Sequence, residues 1–184
     1  RNSIKSWKTD VQQGGGALSF YFSHAFHYLE YFLGRIKNIQ CQLFSSEKSL
    51  NKGETSINMT ILFENGCMGN VNMDISYSSQ QKHTIEFFAE GGKIILKNIS
   101  DSFVDNFELT VDTGQKIQKI KPDNTFDISH DKSEDPRVKV IKSTAERFLN
   151  WCNTGVNAKP DFEDGARVQE LIKMARSSNS KFLA

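Results

Sequence analysis

The chain has 184 residues, 38% hydrophobic and 24% charged, which is an ordinary soluble composition. Lysine plus arginine number 23 against 22 acidic residues, so no broad positive field collects phosphates and nucleic acid is excluded as the main partner. No apolar run approaches the roughly 18 residues that cross a bilayer, so no membrane span is expected.

The first residue is Arg1, and no signal-peptide pattern follows it, so the chain reads as a piece of something longer. Cys41, Cys67 and Cys152 are odd in number and far apart, with no CxxC and no histidine at ligand spacing. Neither a disulfide framework nor a metal site is expected, and a reducing cytoplasm is the expected compartment.

In chain order, the glycine triplet Gly14–Gly16 precedes an aromatic-rich stretch from Ala17 to Leu33 that Gly34 closes, the pattern of a helix with a glycine cap. From about Arg35 to Ile120 the apolar residues alternate. Ile57, Met59, Ile61 and Phe63 form one set, and Cys67, Gly69, Val71, Met73 and Ile75 the next. Glu64-Asn65-Gly66 between them is a predicted hairpin turn, and Glu90-Gly91-Gly92 joins strands over 83–89 and 93–97. A further strand is predicted over 103–111. Without crossover helices, these strands are expected to be antiparallel. Residues 121–132 read as a polar loop, Ser133-Glu134-Asp135-Pro136 as a helix start, and 138–152 as that helix. Asp161 opens a last helix, with Val168, Leu171, Ile172 and Ala175 on one face. Together these predict one α+β domain over 1–184, a predominantly antiparallel open sheet with helices packed on one face.

At about 100° per residue, Leu18, Phe22, Ala25, Leu29 and Leu33 share the face of the first helix expected to meet the sheet. Phe20, His24, His27 and Tyr31 cluster on another face, with Ser19, Ser23 and Glu30 beside them. An aromatic and imidazole stripe fits a substrate-pocket wall; the other reading is a pair of histidines satisfied at an interface. The triplet has two readings as well. It can bring backbone amides to a phosphate, or it can let the chain pass close to another surface. G-x-G-x-x-G and the P-loop lysine are both missing, which weakens the first.

Gly14-Gly15-Gly16-Ala17-Leu18, His24 and Leu33-Gly34 resemble the opening helix of the C-terminal domain of Gfo/Idh/MocA oxidoreductases, and Asp161-Phe162-Glu163-Asp164-Gly165 through Ile172 resembles its closing helix. The resemblance implies the substrate-binding and dimerisation domain of a two-domain parent. In that parent a separate Rossmann domain binds NAD or NADP, and none is expected on this chain. The implied reaction is at a CH–OH group of a sugar, cyclitol or nucleotide-sugar. His24 matches the family histidine and is the implied proton-transfer residue, with Phe20, Ser23, His27 and Tyr31 as substrate-binding neighbours. The family pattern G-G-G-x-x-x-D-x-G-x-H-x-x-D is broken at Phe20, Phe22 and His27. The lost carboxylate at Phe20 leaves two readings, an apolar face for a sugar ring or a non-catalytic member serving as a binding or assembly module. The open sheet face, with Thr60, Asn70, Asn72 and Asp74, is the implied homodimer surface.

Overall fold

The structure, a computed structural model, describes residues 7–45, 53–76, 82–100, 106–120, 135 and 137–179. The polar stretch 121–132, Ser133, Glu134, Pro136 and the start of the strand expected over 103–111 lie outside the described residues. The chain divides into two compact units, residues 1–78 with 159–184, and residues 79–158.

In the first unit, a π-helical turn over Leu18–Phe22 runs into helix α1 (Ser23–Leu33). Strands β1 (Ile36–Phe44), β2 (Ser56–Phe63) and β3 (Met68–Asp74) follow as an antiparallel sheet in that order. Period two does the sorting: Ile57, Met59, Ile61 and Phe63 are buried, while Asn58 is exposed and Thr60 half-buried. A register shift between Ile36 and Asn38 lets Ile36 and Ile39, three positions apart, both reach the core. At the predicted hairpin Gly66 takes φ +86°, Asn65 accepts from Cys67 N at 3.0 Å, and Asn65 Nδ2 donates to Leu33 O at 2.9 Å. The turn is thereby fastened to the end of α1.

The motif at Asp161 is a capping box. Asp161 Oδ1 accepts from Glu163 N and Asp164 N, and Asp164 accepts from Asp161 N, which starts the last helix at Phe162. That helix, Phe162–Ser177, contributes buried Leu171, Ile172 and Ala175 to a core shared with Leu18, Phe22, Ala25, Phe26 and the inner sheet face. Burial of this apolar surface is the main force holding the unit together.

The second unit is a four-stranded antiparallel meander, β4 (His83–Ala89), β5 (Gly92–Asn98), β6 (Glu108–Asp112) and β7 (Ile117–Ile120). It also holds α2 (Arg137–Thr154), none of whose side chains is buried. Asp135 opens α2, accepting from Arg137 N at 2.9 Å, and hydrogen bonds from Arg137 hold its carboxyl down at about 2. The helix Phe162–Ser177 is α3.

The α+β architecture with antiparallel strands is as expected. The strands form two sheets rather than one, because alternation marks a strand as half-buried without naming its neighbour.

Candidate functional site

The start of the first helix is built by close backbone approach. A Cβ on Gly15 would stand 2.1 Å from Trp7 O, and one on Gly16, at φ +104°, would stand 2.3 Å from the Glu54 carboxylate. Only glycine lets these segments pass. Glu54 then serves the helix twice, its carbonyl accepting from Ala17 N at 2.8 Å and its Oε1 from Leu18 N at 3.2 Å. Arg176 of α3 closes the arrangement, with Nη2 at 2.9 Å from Gly15 O, 2.9 Å from Ser19 Oγ and 3.3 Å from Glu54 Oε1. A buried carboxylate thus stands where an anion would sit at a helix N-terminus, and the triplet serves close approach rather than phosphate binding. Behind it, burial and then the Glu54 charge push the Cys41 thiol up to about 11.

The helix wheel is right at Leu18, Phe22 and Ala25, all buried, and Leu29 and Leu33 pack partly against the core. Phe26, 0% exposed, joins them: at about 100° per residue it falls about 40° from Phe22 and about 20° from Leu33, on the same face.

His24 is exposed, and its imidazole makes no hydrogen bond among the described residues. His27 and Ser23 are half-buried, and His24, His27 and Tyr31 share a face of α1 at i, i+3 and i+7. Tyr31 is 79% exposed and its ring meets Phe32 edge-on at 5.3 Å. Phe20 is half-buried within an aromatic group: Trp7 lies 5.8 Å away and Tyr21 4.7 Å, both edge-on, and Lys8 Nζ sits 4.5 Å over the ring. Trp7 and Lys8 escape a reading based on helical spacing because they lie in a separate turn (Trp7–Thr9) folded back by the glycines. Glu54 and Arg176 escape it for a similar reason, being 122 residues apart in sequence.

Among the described residues no group of histidine, cysteine and carboxylate side chains is arranged to hold a metal ion, and no helix is long and apolar enough to cross a membrane.

This is the architecture of a GFO/IDH/MocA C-terminal domain. The profile described as GFO/IDH/MocA C-terminal domain matches residues 1–95, and the chain belongs to that family. Among solved structures, it is similar to an aldose-aldose oxidoreductase from Caulobacter crescentus complexed with glycerol, at 13% identity and TM-score 0.75, covering 97% of this chain and 50% of that one. A levoglucosan dehydrogenase complexed with NADH and L-sorbose gives 18% identity and TM-score 0.75, covering 96% and 52%. A 3-ketoreductase from Actinomadura kijaniata in complex with NADP and TDP-benzene gives 14% and 0.71, covering 97% and 50%. At these identities the likeness is one of fold, and the chain spans about half the length of each. Among curated proteins, none matches this sequence.

Proposed function

We propose that the chain is the substrate-binding and oligomerisation domain of an NAD(P)-dependent oxidoreductase acting on a CH–OH group of a sugar, cyclitol or nucleotide-sugar. The observation that carries this reading is His24, an exposed imidazole on the helix that bears the family motif, with no side-chain hydrogen bond among the described residues. A carbinol carbon loses hydride only as its O–H proton departs, and an imidazole can take that proton or return it near neutral pH. His27 and Ser23 lie on or beside the same stripe and serve to orient hydroxyls, with Tyr31 at its far end.

Among the described residues, the start of the first helix does not fit a dinucleotide. The one glycine-rich helix start has its first amides on Glu54 and its loop carbonyl on Arg176, which leaves no place for a pyrophosphate. NAD or NADP is therefore assigned to another part of the parent protein, and this chain supplies the proton-handling side of the pocket. Changing His24 to Ala in the full-length protein is expected to lower kcat about a hundredfold; an unchanged kcat overturns the role.

The outer face of β1–β3 is the proposed dimer surface. Gln40, Thr60 and Asn70 align across the strands, as do Gln42, Asn58 and Asn72, with Met68 66% exposed beside them. This mainly polar face, with the carboxylate of Asp74 at its edge, suits a two-fold contact. A strict monomer in sedimentation at tens of micromolar overturns it. The three cysteines are free thiols, which supports a reducing cytoplasm as the compartment.

One observation favours a second reading, a non-catalytic binding or assembly module. At the position of the family aspartate, Phe20 is packed among Trp7, Tyr21 and Lys8 rather than offering a carboxylate to substrate. A full-length protein lacking both a G-x-G-x-x-G turn and turnover with any sugar would establish this alternative.

A further inference from the structure

The π-turn before His24 is itself an observation that needs a cause. A π-turn has poorer hydrogen-bond geometry than an α-turn and persists only where its surroundings hold it. It also decides direction: relaxing the turn to α geometry would rotate every later residue by about 100° relative to the chain before it. His24 lies just beyond the turn, whose last residue is Phe22.

The residues that hold the turn are specific. Its first residue, Leu18, gives its amide to Glu54 Oε1 at 3.2 Å, and its second, Ser19, accepts from Arg176 Nη2 at 2.9 Å. The same Nη2 reaches Gly15 O and Glu54 Oε1, so the loop before the turn, the turn and the carboxylate meet at one guanidinium. Glu54 is 5% exposed, and Arg176 Nε is buried without an acceptor among the described residues. Leaving a guanidinium nitrogen unsatisfied is costly, and the three contacts of Nη2 offset that cost by fixing this geometry.

We infer that Glu54 and Arg176 are positioning residues, a clamp from β2's approach and α3 that holds the Leu18–Phe22 π-turn and so sets the direction in which His24 faces. The inference rests on the reading of His24 as the proton-transfer group, but the clamp has a readout of its own. The imidazole of His24 can be followed by NMR in the full-length protein, assigned by loss of its signal in His24→Ala.

The expected results are these. Glu54→Ala shifts the His24 ring resonance and lowers kcat at least tenfold, with KM for the sugar held within about twofold. Glu54→Gln, which keeps an acceptor for Leu18 N, stays within about threefold of wild type. On a His24→Ala background, Glu54→Ala lowers kcat no further, a non-additivity that a general loss of stability would not produce. If Glu54→Ala does not fold, Arg176→Met gives the same test, since methionine keeps the apolar stem and offers no donor to Gly15 O, Ser19 Oγ and Glu54. A folded Glu54→Ala or Arg176→Met variant with its His24 resonance and kcat unmoved overturns the clamp. If His24→Ala keeps full kcat while Glu54→Ala still moves the resonance, the proton-transfer role fails and the clamp stands.

Discussion

Arg167 of α3 grips Glu30 of α1 across 137 positions of sequence, with Nη2 at 2.9 Å and Nε at 3.2 Å from Oε1. The same carboxylate accepts from Ile36 N at 2.8 Å, and the same guanidinium donates to Ile36 O at 2.9 Å. One fork therefore joins the end of α1, the start of β1 and the first turns of α3. The arginine of the closing motif has a structural task here, and Glu30, which the wheel placed on the polar stripe beside His24, is turned to it.

Removing one partner leaves the other charged and poorly solvated, since the two side chains are only 19% and 16% exposed. Arg167→Ala is expected to lower stability by about 3 kcal/mol. The double change of Arg167 and Glu30 to Met should cost less than the sum of the two single changes, because no orphan charge remains. Denaturant midpoints at constant slope measure both. An Arg167→Ala protein as stable as wild type would show that the fork contributes nothing net.

The glycines give opposite expectations from one substitution. Gly16→Ala places a Cβ 2.3 Å from the Glu54 carboxylate at φ +104°, and should cost about 3 kcal/mol or more. Gly165 lies inside α3 with nothing within 4 Å of a built Cβ, so Gly165→Ala should stabilise by about 0.5–1 kcal/mol. Thermal or chemical unfolding of the two variants decides the matter, and the sign at Gly165 is the sharper test.

Much of this was legible in the sequence because the information is local. Alternation located β2 and β3, Asn65-Gly66 their turn, and Asp161 with Asp164 the start of α3. The family motifs also located the helix bearing His24. What escaped is long-range or depends on irregular backbone. Nothing near Glu54 in sequence says that its carboxylate will cap a helix beginning 36 positions earlier. No fixed angular step anticipates the π-turn over Leu18–Phe22. The apolar residues of α2, such as Ile141 at 65% exposure, show the remaining limit: amphipathic spacing predicts the helix without saying what its face meets.

Thiol chemistry should separate the three cysteines. Cys152 is exposed, Cys67 half-buried, and Cys41 1% exposed with its thiol pushed up to about 11. At pH 8 only about one thousandth of such a thiol is ionised, and the reagent must also reach it. A chromogenic disulfide should label Cys152 at once and Cys67 more slowly. Cys41 should react only as the protein unfolds, so its rate should follow denaturant concentration. Labelling of Cys41 at the rate of Cys152 in buffer alone would contradict the burial of β1.

Alkaline pH probes the same core through two groups. Burial raises Tyr28 from 10.0 to about 12, and burial followed by the Glu54 charge raises Cys41 from 9.0 to about 11. Both are acids whose neutral form is favoured in the fold. Their contributions are fully present below the unfolded values and are lost as pH rises through the folded ones, because the unfolded chain releases its protons first. Stability should therefore decline from about pH 9 and fall steeply between pH 10 and 12. For Tyr28, two units correspond to at most about 2 kcal/mol once solvent screening of its exposed part is allowed for. Tyr28→Phe should flatten the pH 10–12 part of the curve, and Cys41→Ala the part from pH 9 to 11, whatever each does to stability at pH 7. Denaturant midpoints collected across this range, with phenolate absorbance followed in parallel, give the slopes. A Tyr28→Phe protein whose stability falls as steeply above pH 10 as the wild type would place that tyrosine in contact with water.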